Sequence, residues 1–179
     1  MISVKKRLDR ENKHLYTLTV KARDSGNVPR ESLVNVKITI SDVNDNKPRF
    51  TQPSYSASID EDESIGASVV KVSATDNDVG NNSEITYGIK TGNEQGVFEL
   101  DEKTGEITLN KTLDHETQSS YKLVVTASDH GSPRMTSSVD VMVTVNDVND
   151  NPPAFPKSLY NCTVAENLAS GVADRKSVV

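Results

Sequence analysis

The chain has 179 residues, of which 34% are hydrophobic and 26% charged, and a formal net charge of -6. This balance suits a soluble globular protein and argues against nucleic acid or an anionic membrane as partner, since both call for a basic surface. No apolar run approaches the roughly 20 residues that span a bilayer, and the start carries Lys5, Lys6, Arg7 and Arg10 without the apolar stretch of a signal peptide.

Apolar residues then recur with a period of two. The first segments are Ile2–Val4, Tyr16 to Ala22 and Val34 to Ile40. After Pro48 and Pro53 come Tyr55-Ala57-Ile59, Val70-Val72-Ala74, Ile85-Tyr87-Ile89, Phe98-Leu100, Ile107-Leu109, Tyr121-Leu123-Val125-Ala127 and Val139-Val141-Val143-Val145. The last seven are short, rich in β-branched residues and separated by Gly, Asn, Asp and Pro. They predict an all-β, seven-stranded sandwich of two half-buried sheets. Lys103-Thr104-Gly105-Glu106 reads as a hairpin turn, with Gly supplying positive φ.

An internal repeat divides the chain. Leu8-Asp9-Arg10-Glu11 returns as Leu113-Asp114-His115-Glu116, and Ala22-Arg23-Asp24-Ser25-Gly26 as Ala127-Ser128-Asp129-His130-Gly131. Asp42-Val43-Asn44-Asp45-Asn46 returns as Asp147-Val148-Asn149-Asp150-Asn151, Tyr55 as Tyr160, and Glu61 as Glu166; every offset is 105 residues. That period is the size of a small domain. Residues 1–49 therefore read as the C-terminal part of one repeat, 50–154 as a whole repeat, and 155–179 as the start of a third. Three strands without a partner sheet should make the first piece marginal alone. After about residue 171 the inward positions turn polar, with Arg175 and Ser177 answering Val70 and Val72, so a divergent tail is expected there.

Acidic residues gather where the strands stop. Asp9, Glu11 and the 44–46 segment fall at one end of the first repeat; Asp76, Asp78, Asn82 and Asp129 fall at the facing end of the second. Two unit charges at ~4 Å repel by about 4 kcal/mol at an effective dielectric near 20, so such a cluster calls for a cation. Oxygen-only donors suit a hard ion, Ca²⁺ better than Mg²⁺. No Cys cluster or His pair favours Zn²⁺. An EF-hand is excluded: counted from Asp76, the sixth position is Asn81 and the twelfth Tyr87. A lone Asp-Asn-Asp would read as an ordinary turn. Recurrence of several acidic motifs in one register is what a turn alone leaves unexplained.

In combination these motifs resemble the extracellular repeats of cadherins: Leu-Asp-Arg/His-Glu, Ala-Thr-Asp-Asn-Asp at 74–78, Ala-x-Asp-x-Gly, Asp-Val-Asn-Asp-Asn, and Val-Ala-Glu-Asn at 164–167. The resemblance covers residues 2 to about 171. It implies tandem Greek-key sandwiches with three Ca²⁺ ions at each junction. At the first junction it implies Asp9, Glu11 and Asp45 with the Val43 carbonyl for two upper ions, and Asp78 as a bridge. Asn44, Asp76, Asp129 and the carbonyls of Asn46 and Asn82 would complete the third. At the second junction it implies Glu61, Asp114, Glu116, Asn149 and Asp150 with the carbonyls of Val148 and Asn151; His115 reads as a spacer. The implied function is calcium-dependent cell–cell adhesion. The implied setting is the outer face of the plasma membrane, within a transmembrane parent, with other cadherin ectodomains as homophilic or heterophilic partners. Many-repeat cadherins of the Fat and Dachsous kind, or protocadherins, fit best.

Three sequons, at Asn81, Asn110 and Asn161, are candidate glycosylation sites. Cys162 is the only cysteine and reads as a small apolar residue or a free thiol. An enzyme is the weaker reading. Paired carboxylates can serve glycosidic cleavage, yet these sit at repeat ends, no Gly-x-Ser-x-Gly occurs, and His14, His115 and His130 lack an evident nucleophile. A calcium-independent immunoglobulin or fibronectin-like adhesion sandwich is the other alternative. It lacks the Cys-Trp-Cys pattern of true immunoglobulin domains and leaves the acidic motifs unaccounted for.

Overall fold

The computed structural model describes residues 2–161. The chain divides into two units, Met1–Val148 and Asn149–Val179. The first unit holds every strand among the described residues. These are β1 (Leu15–Arg23), β2 (Glu31–Thr39), β3 (Arg49–Phe50), β4 (Ser54–Asp60), β5 (Ser68–Lys71), β6 (Ala74–Thr75), β7 (Thr86–Thr91), β8 (Phe98–Leu100), β9 (Glu106–Leu109), β10 (Ser120–Ser128) and β11 (Thr136–Asn146). One 3₁₀ turn spans Gly80–Ser83.

All seven alternating segments of the whole repeat form strands. One sheet has the order β4-β11-β10-β7, with β4 parallel to β11 and the other pairs antiparallel; the facing sheet has the order β5-β9-β8. A small β3-β6 ladder adds an edge that the alternation did not signal. Because side chains alternate across a strand, β10 buries Tyr121, Leu123, Val125 and Ala127, and β11 buries Val139, Val141, Val143 and Val145. Val72, Phe98, Ile107 and Leu109 meet them from the other layer. Phe98 packs edge-on against Tyr121, with ring centroids 5.1 Å apart. The expected hairpin turn joins β8 to β9. Gly105 there has φ +73°, and a Cβ would stand 2.4 Å from the Val72 carbonyl oxygen, so only Gly fits.

The residues before β3 form a single two-stranded ladder. β1 and β2 pair antiparallel over their whole length, Leu15 opposite Thr39 to Arg23 opposite Glu31. The strand expected at Ile2–Val4 does not form. Its counterpart, β9, is held between β5 and β8, and the described residues contain no counterpart of either. Ile2, Val4 and Leu8 instead line a concave surface with Tyr16, Leu18, Ile38 and Ile40.

The second unit is strand-free over its described part, 149–161; Phe155 and Tyr160 pack with ring centroids 6.0 Å apart. The divergent tail, Cys162 and Glu166 lie outside the described residues.

Candidate metal centre

The segment after β2 brings Asn44 and Asn46 against the loop ends of the whole repeat. Asn44 is buried, and its side-chain amide donates to Asp129 Oδ2 (3.2 Å) and to the Pro133 carbonyl (2.5 Å). Asp129, fully buried at the end of β10, also accepts the backbone N–H groups of Gly131 (2.9 Å) and Met135 (3.0 Å). Burial alone would raise its carboxyl, but these N–H donors and the Asn44 amide outweigh that and hold it below the usual carboxylate range.

Asp76 and Asp78 follow β6. Asp76 Oδ1 accepts the Asp78 N–H (2.9 Å), the local Asx geometry that ends the strand. Buried Asp78 accepts both the backbone N–H (3.1 Å) and the side-chain amide (2.7 Å) of Asn46. Asp76 is left in a different state. Burial pushes its carboxyl up, and the nearby charges of Asp78 and Asp129 add to the rise.

A third group of oxygens lies beside these. Carboxylate oxygens of Glu11, Asp42 and Asp78 all lie within 4.8 Å of one another. Asp42 accepts the Val79 N–H (3.1 Å) and the Asn82 side-chain amide (2.9 Å), and forms an ion pair with Arg10. Burial opposes its charge, but these three partners together hold it below the usual range. Arg10 also pairs with Glu11. Desolvation works against its guanidinium, yet Asp42 and Glu11 outweigh it and keep it firmly protonated.

Asp42 and Arg10 were not among the residues expected at this site. Asp9 and Asp45 were, but they fall outside that close group. Asp9 Oδ1 accepts the Asn12 N–H (3.0 Å), and Asp45 Oδ1 the Asn46 side-chain amide (3.0 Å). The Val43 carbonyl accepts the Asp45 N–H (2.8 Å).

At the far end of the whole repeat, Glu61, Asp114 and Glu116 also bring carboxylate oxygens within 4.8 Å of one another. Glu61 is buried at the end of β4. It accepts the backbone N–H groups of His115 (2.6 Å) and Val148 (2.7 Å), which hold its carboxyl low. Asp114 is held low by the Thr117 hydroxyl (2.6 Å) and N–H (3.2 Å). The His115 ring nitrogen Nδ1 lies 2.8 Å from the Val145 carbonyl oxygen. Asn149, Asp150 and Asn151 belong to the second unit.

The residues present fit a hard cation. Three buried acceptors at the Asp76–Asp78 end, Asp42 Oδ1, Asn44 Oδ1 and Asp76 Oδ2, have no hydrogen-bond donor; Asp42 has its ion pair with Arg10, while Asn44 Oδ1 and Asp76 Oδ2 sit among Asp78 and Asp129. Buried oxygens without donors, beside like-charged carboxylates, are stabilised by a cation and costly without one. Every donor is an oxygen, which is the chemistry of Ca²⁺ rather than of a softer ion.

The family model for the cadherin domain matches residues 1–41 and 55–146. The chain belongs to the cadherin family. It is 42% identical over 171 residues to the Fat-like cadherin-related tumor suppressor homolog of Drosophila melanogaster, covering 96% of this cadherin chain and 4% of that protein. It is 44% identical over 164 residues to Protocadherin-16 of Mus musculus, covering 92% and 5% respectively. Its structure matches extracellular cadherin domains 3–6 of Protocadherin Gamma B2 with a TM-score of 0.77 and 36% identity, over 85% of this chain and 38% of that one. It also matches mouse Cadherin-23 EC22-24 with a TM-score of 0.74 and 38% identity, over 81% and 46%. This cadherin chain thus spans a small fraction of its curated relatives' length. No helix among the described residues is long and apolar enough to cross a membrane.

Proposed function

We propose that this chain is a segment of a calcium-dependent adhesion ectodomain, in which Ca²⁺ held at the junction between two repeats fixes their relative angle. Residues 1–49 are the end of one repeat, 50–154 a whole repeat, and 155–179 the start of the next. The observation that carries the reading is the pair of donorless buried oxygens, Asp76 Oδ2 and Asn44 Oδ1, among the carboxylates of Asp78 and Asp129.

Asn44 and Asn46 come from the inter-repeat segment, Asp76, Asp78, Asn82 and Asp129 from the whole repeat, and Glu11 and Asp42 from the first. An ion shared by these donors ties three stretches of chain together. Asp9, Val43 and Asp45 stand within a few residues of the cluster and complete the proposed set. Glu61, Asp114 and Glu116 are the proposed start of a second site, for which Val148, Asn149, Asp150 and Asn151 are proposed by the repeat alone. The ion is structural. The partners are other cadherin ectodomains, homophilic or heterophilic, on the extracellular face of the plasma membrane. Asn81, Asn110 and Asn161 are exposed, as glycan attachment requires.

Thermal melting in EDTA and in millimolar calcium tests this, with Asp78→Ala alongside. Extracellular calcium modules bind at ~10⁻⁴–10⁻³ M, and an ion at ten times its dissociation constant stabilises by about 1.4 kcal/mol per site. At roughly 4–8 °C per kcal/mol, a clear calcium-dependent rise is expected, and Asp78→Ala should diminish it. An unchanged melt in a folded sample would sink the proposal and leave the calcium-independent sandwich as the better account.

A further inference from the structure

The outward face of the β4-β11-β10-β7 sheet holds a hollow at its β7 edge that none of the proposed calcium ligands lines. It measures about 610 Å³, and its walls include Thr86, Gly88, Thr126, Ser128, Thr136 and Arg134. Small-ligand sites run from ~300 to ~1,000 Å³. Gly88 stands opposite Thr126 in the β7–β10 ladder, and its neighbours Tyr87 and Ile89 pack on the core. The missing side chain therefore leaves a dip on the solvent side of an edge strand. The walls are hydroxyls. Ser128 Oγ and Thr136 Oγ1 lie 2.8 Å apart, and Thr126 Oγ1 donates to the Gly88 carbonyl at 3.1 Å.

One guanidinium belongs to this lining. Arg134 Nε donates to the Asp129 carbonyl (2.9 Å) and Nη2 to Thr86 Oγ1 (2.9 Å). These bonds fix the plane of the fork and use two of its five N–H donors. The others have no acceptor among the described residues. A fixed fork of this kind matches a carboxylate with two parallel hydrogen bonds. The fold does not require the lining. In the first copy, Lys21, Arg23 and Glu31 stand where Thr126, Ser128 and Thr136 stand here, and Pro29 where Arg134 stands. There Glu31 pairs with Lys21 and Arg23 instead.

The surrounding charge narrows the ligand. Glu102 lines the same hollow, and Glu84 lies 3.6 Å from His130, another lining residue. A polysulfated chain would be repelled by these carboxylates with a single guanidinium to hold it. A sugar with one carboxylate needs only that one cation, and its ring hydroxyls can exchange hydrogen bonds with the threonine and serine walls.

We propose that this hollow binds a terminal acidic sugar of a glycan, with the sugar carboxylate on Arg134 and the ring over Gly88. The site requires no calcium, so it stands or falls apart from the junction.

The test is an NMR titration of isotope-labelled residues 1–179 in millimolar calcium. The methyl glycosides of N-acetylneuraminic acid and of glucuronic acid form separate arms, which distinguish a sialic acid from a uronic acid. Neutral methyl galactoside and acetate are the controls. At least one acidic sugar should shift the amide signals of Gly88, Thr126 and Ser128 saturably, and both controls should bind about tenfold more weakly or less. Arg134→Gln should weaken the acidic sugar about tenfold, as loss of a charge-assisted pair does. Gly88→Ala should weaken it by a similar factor. Its Cβ would stand 3.5 Å from Thr126 Oγ1, an ordinary contact that leaves the ladder intact. No saturable shift with either acid would overturn the site. Equal binding of acetate or of the neutral sugar, or unchanged affinity in either variant, would also overturn it.

Discussion

A Cβ on Gly131 would stand 2.3 Å from Nδ2 of Asn44, so Asn44 holds its place because residue 131 has no side chain. Gly26, 105 residues earlier, meets nothing closer than 3.5 Å at the same point of its loop. The two loops are otherwise alike. Asp24 accepts the N–H groups of Gly26 and Arg30, as Asp129 accepts those of Gly131 and Met135. The need for Gly at 131 thus comes from the junction. Gly131→Ala should push the Asn44 amide off Asp129 and the Pro133 carbonyl, at a cost of about 1–3 kcal/mol. Melting in EDTA should show that loss, and the increment gained from calcium should shrink as well. Equal increments in variant and parent would show that Asn44 is no ligand.

Asp76→Asn should change sign with the medium. The Asp76 carboxylate is charged against its surroundings, since burial and the charges of Asp78 and Asp129 all raise its pKa. A neutral amide of nearly the same shape removes that repulsion. In EDTA at neutral pH the variant should therefore melt above the parent. In millimolar calcium it should melt below it, because an anionic oxygen has been lost. A variant that melts lower under both conditions would mean that Asp76 serves only to hold its turn.

The sandwich was legible because its strands are half-buried, and a half-buried strand writes its inward face into the sequence at every second residue. Leu123, Val125, Val141 and Val143 are such positions, and all are fully buried. The strand expected at Ile2–Val4 shows the limit: alternation marks a face that can be buried, but pairing needs neighbours. The acidic cluster was legible through its recurrence at 105 residues. Which carboxylates close on one another was not, because the direction of a turn side chain depends on its hydrogen bonds. Asp42 was overlooked although Asp147 repeats it. Its role rests on Val79, Asn82 and Arg10, which no spacing reveals.

The hairpin between β8 and β9 should carry a pH signature of its own. Asp101 accepts the N–H groups of Thr104 (2.7 Å) and Lys103 (3.0 Å), which hold its carboxyl below the ordinary value of 3.8. A depressed carboxyl contributes stability above its unfolded pKa and loses it as pH falls through the lower folded value. Asp101→Asn keeps an acceptor oxygen but cannot titrate. Between about pH 5 and about pH 2 in EDTA, the parent should lose more melting temperature than the variant, by a few degrees at most for so exposed a group. Parallel curves would show that the turn does not depend on the charge.

Leu18 and Leu123 occupy the same register position, 105 residues apart, in β1 and β10. Leu123 is 0% exposed and Leu18 37%. The difference lies in what faces them. β10 looks onto the β5-β9-β8 sheet, and β1 looks onto the loose stretch of Ile2, Val4 and Leu8. Leu123→Ala should cost about 2–5 kcal/mol, as for a cavity in a closed core. Leu18→Ala should cost about 1 kcal/mol, in keeping with the smaller area it removes from water. Urea unfolding of each variant, followed by far-UV circular dichroism, reads the comparison directly. Equal costs would mean that residues 2–8 cover the β1-β2 face as well as a second sheet does. The first piece would then be a stable part of the molecule in its own right.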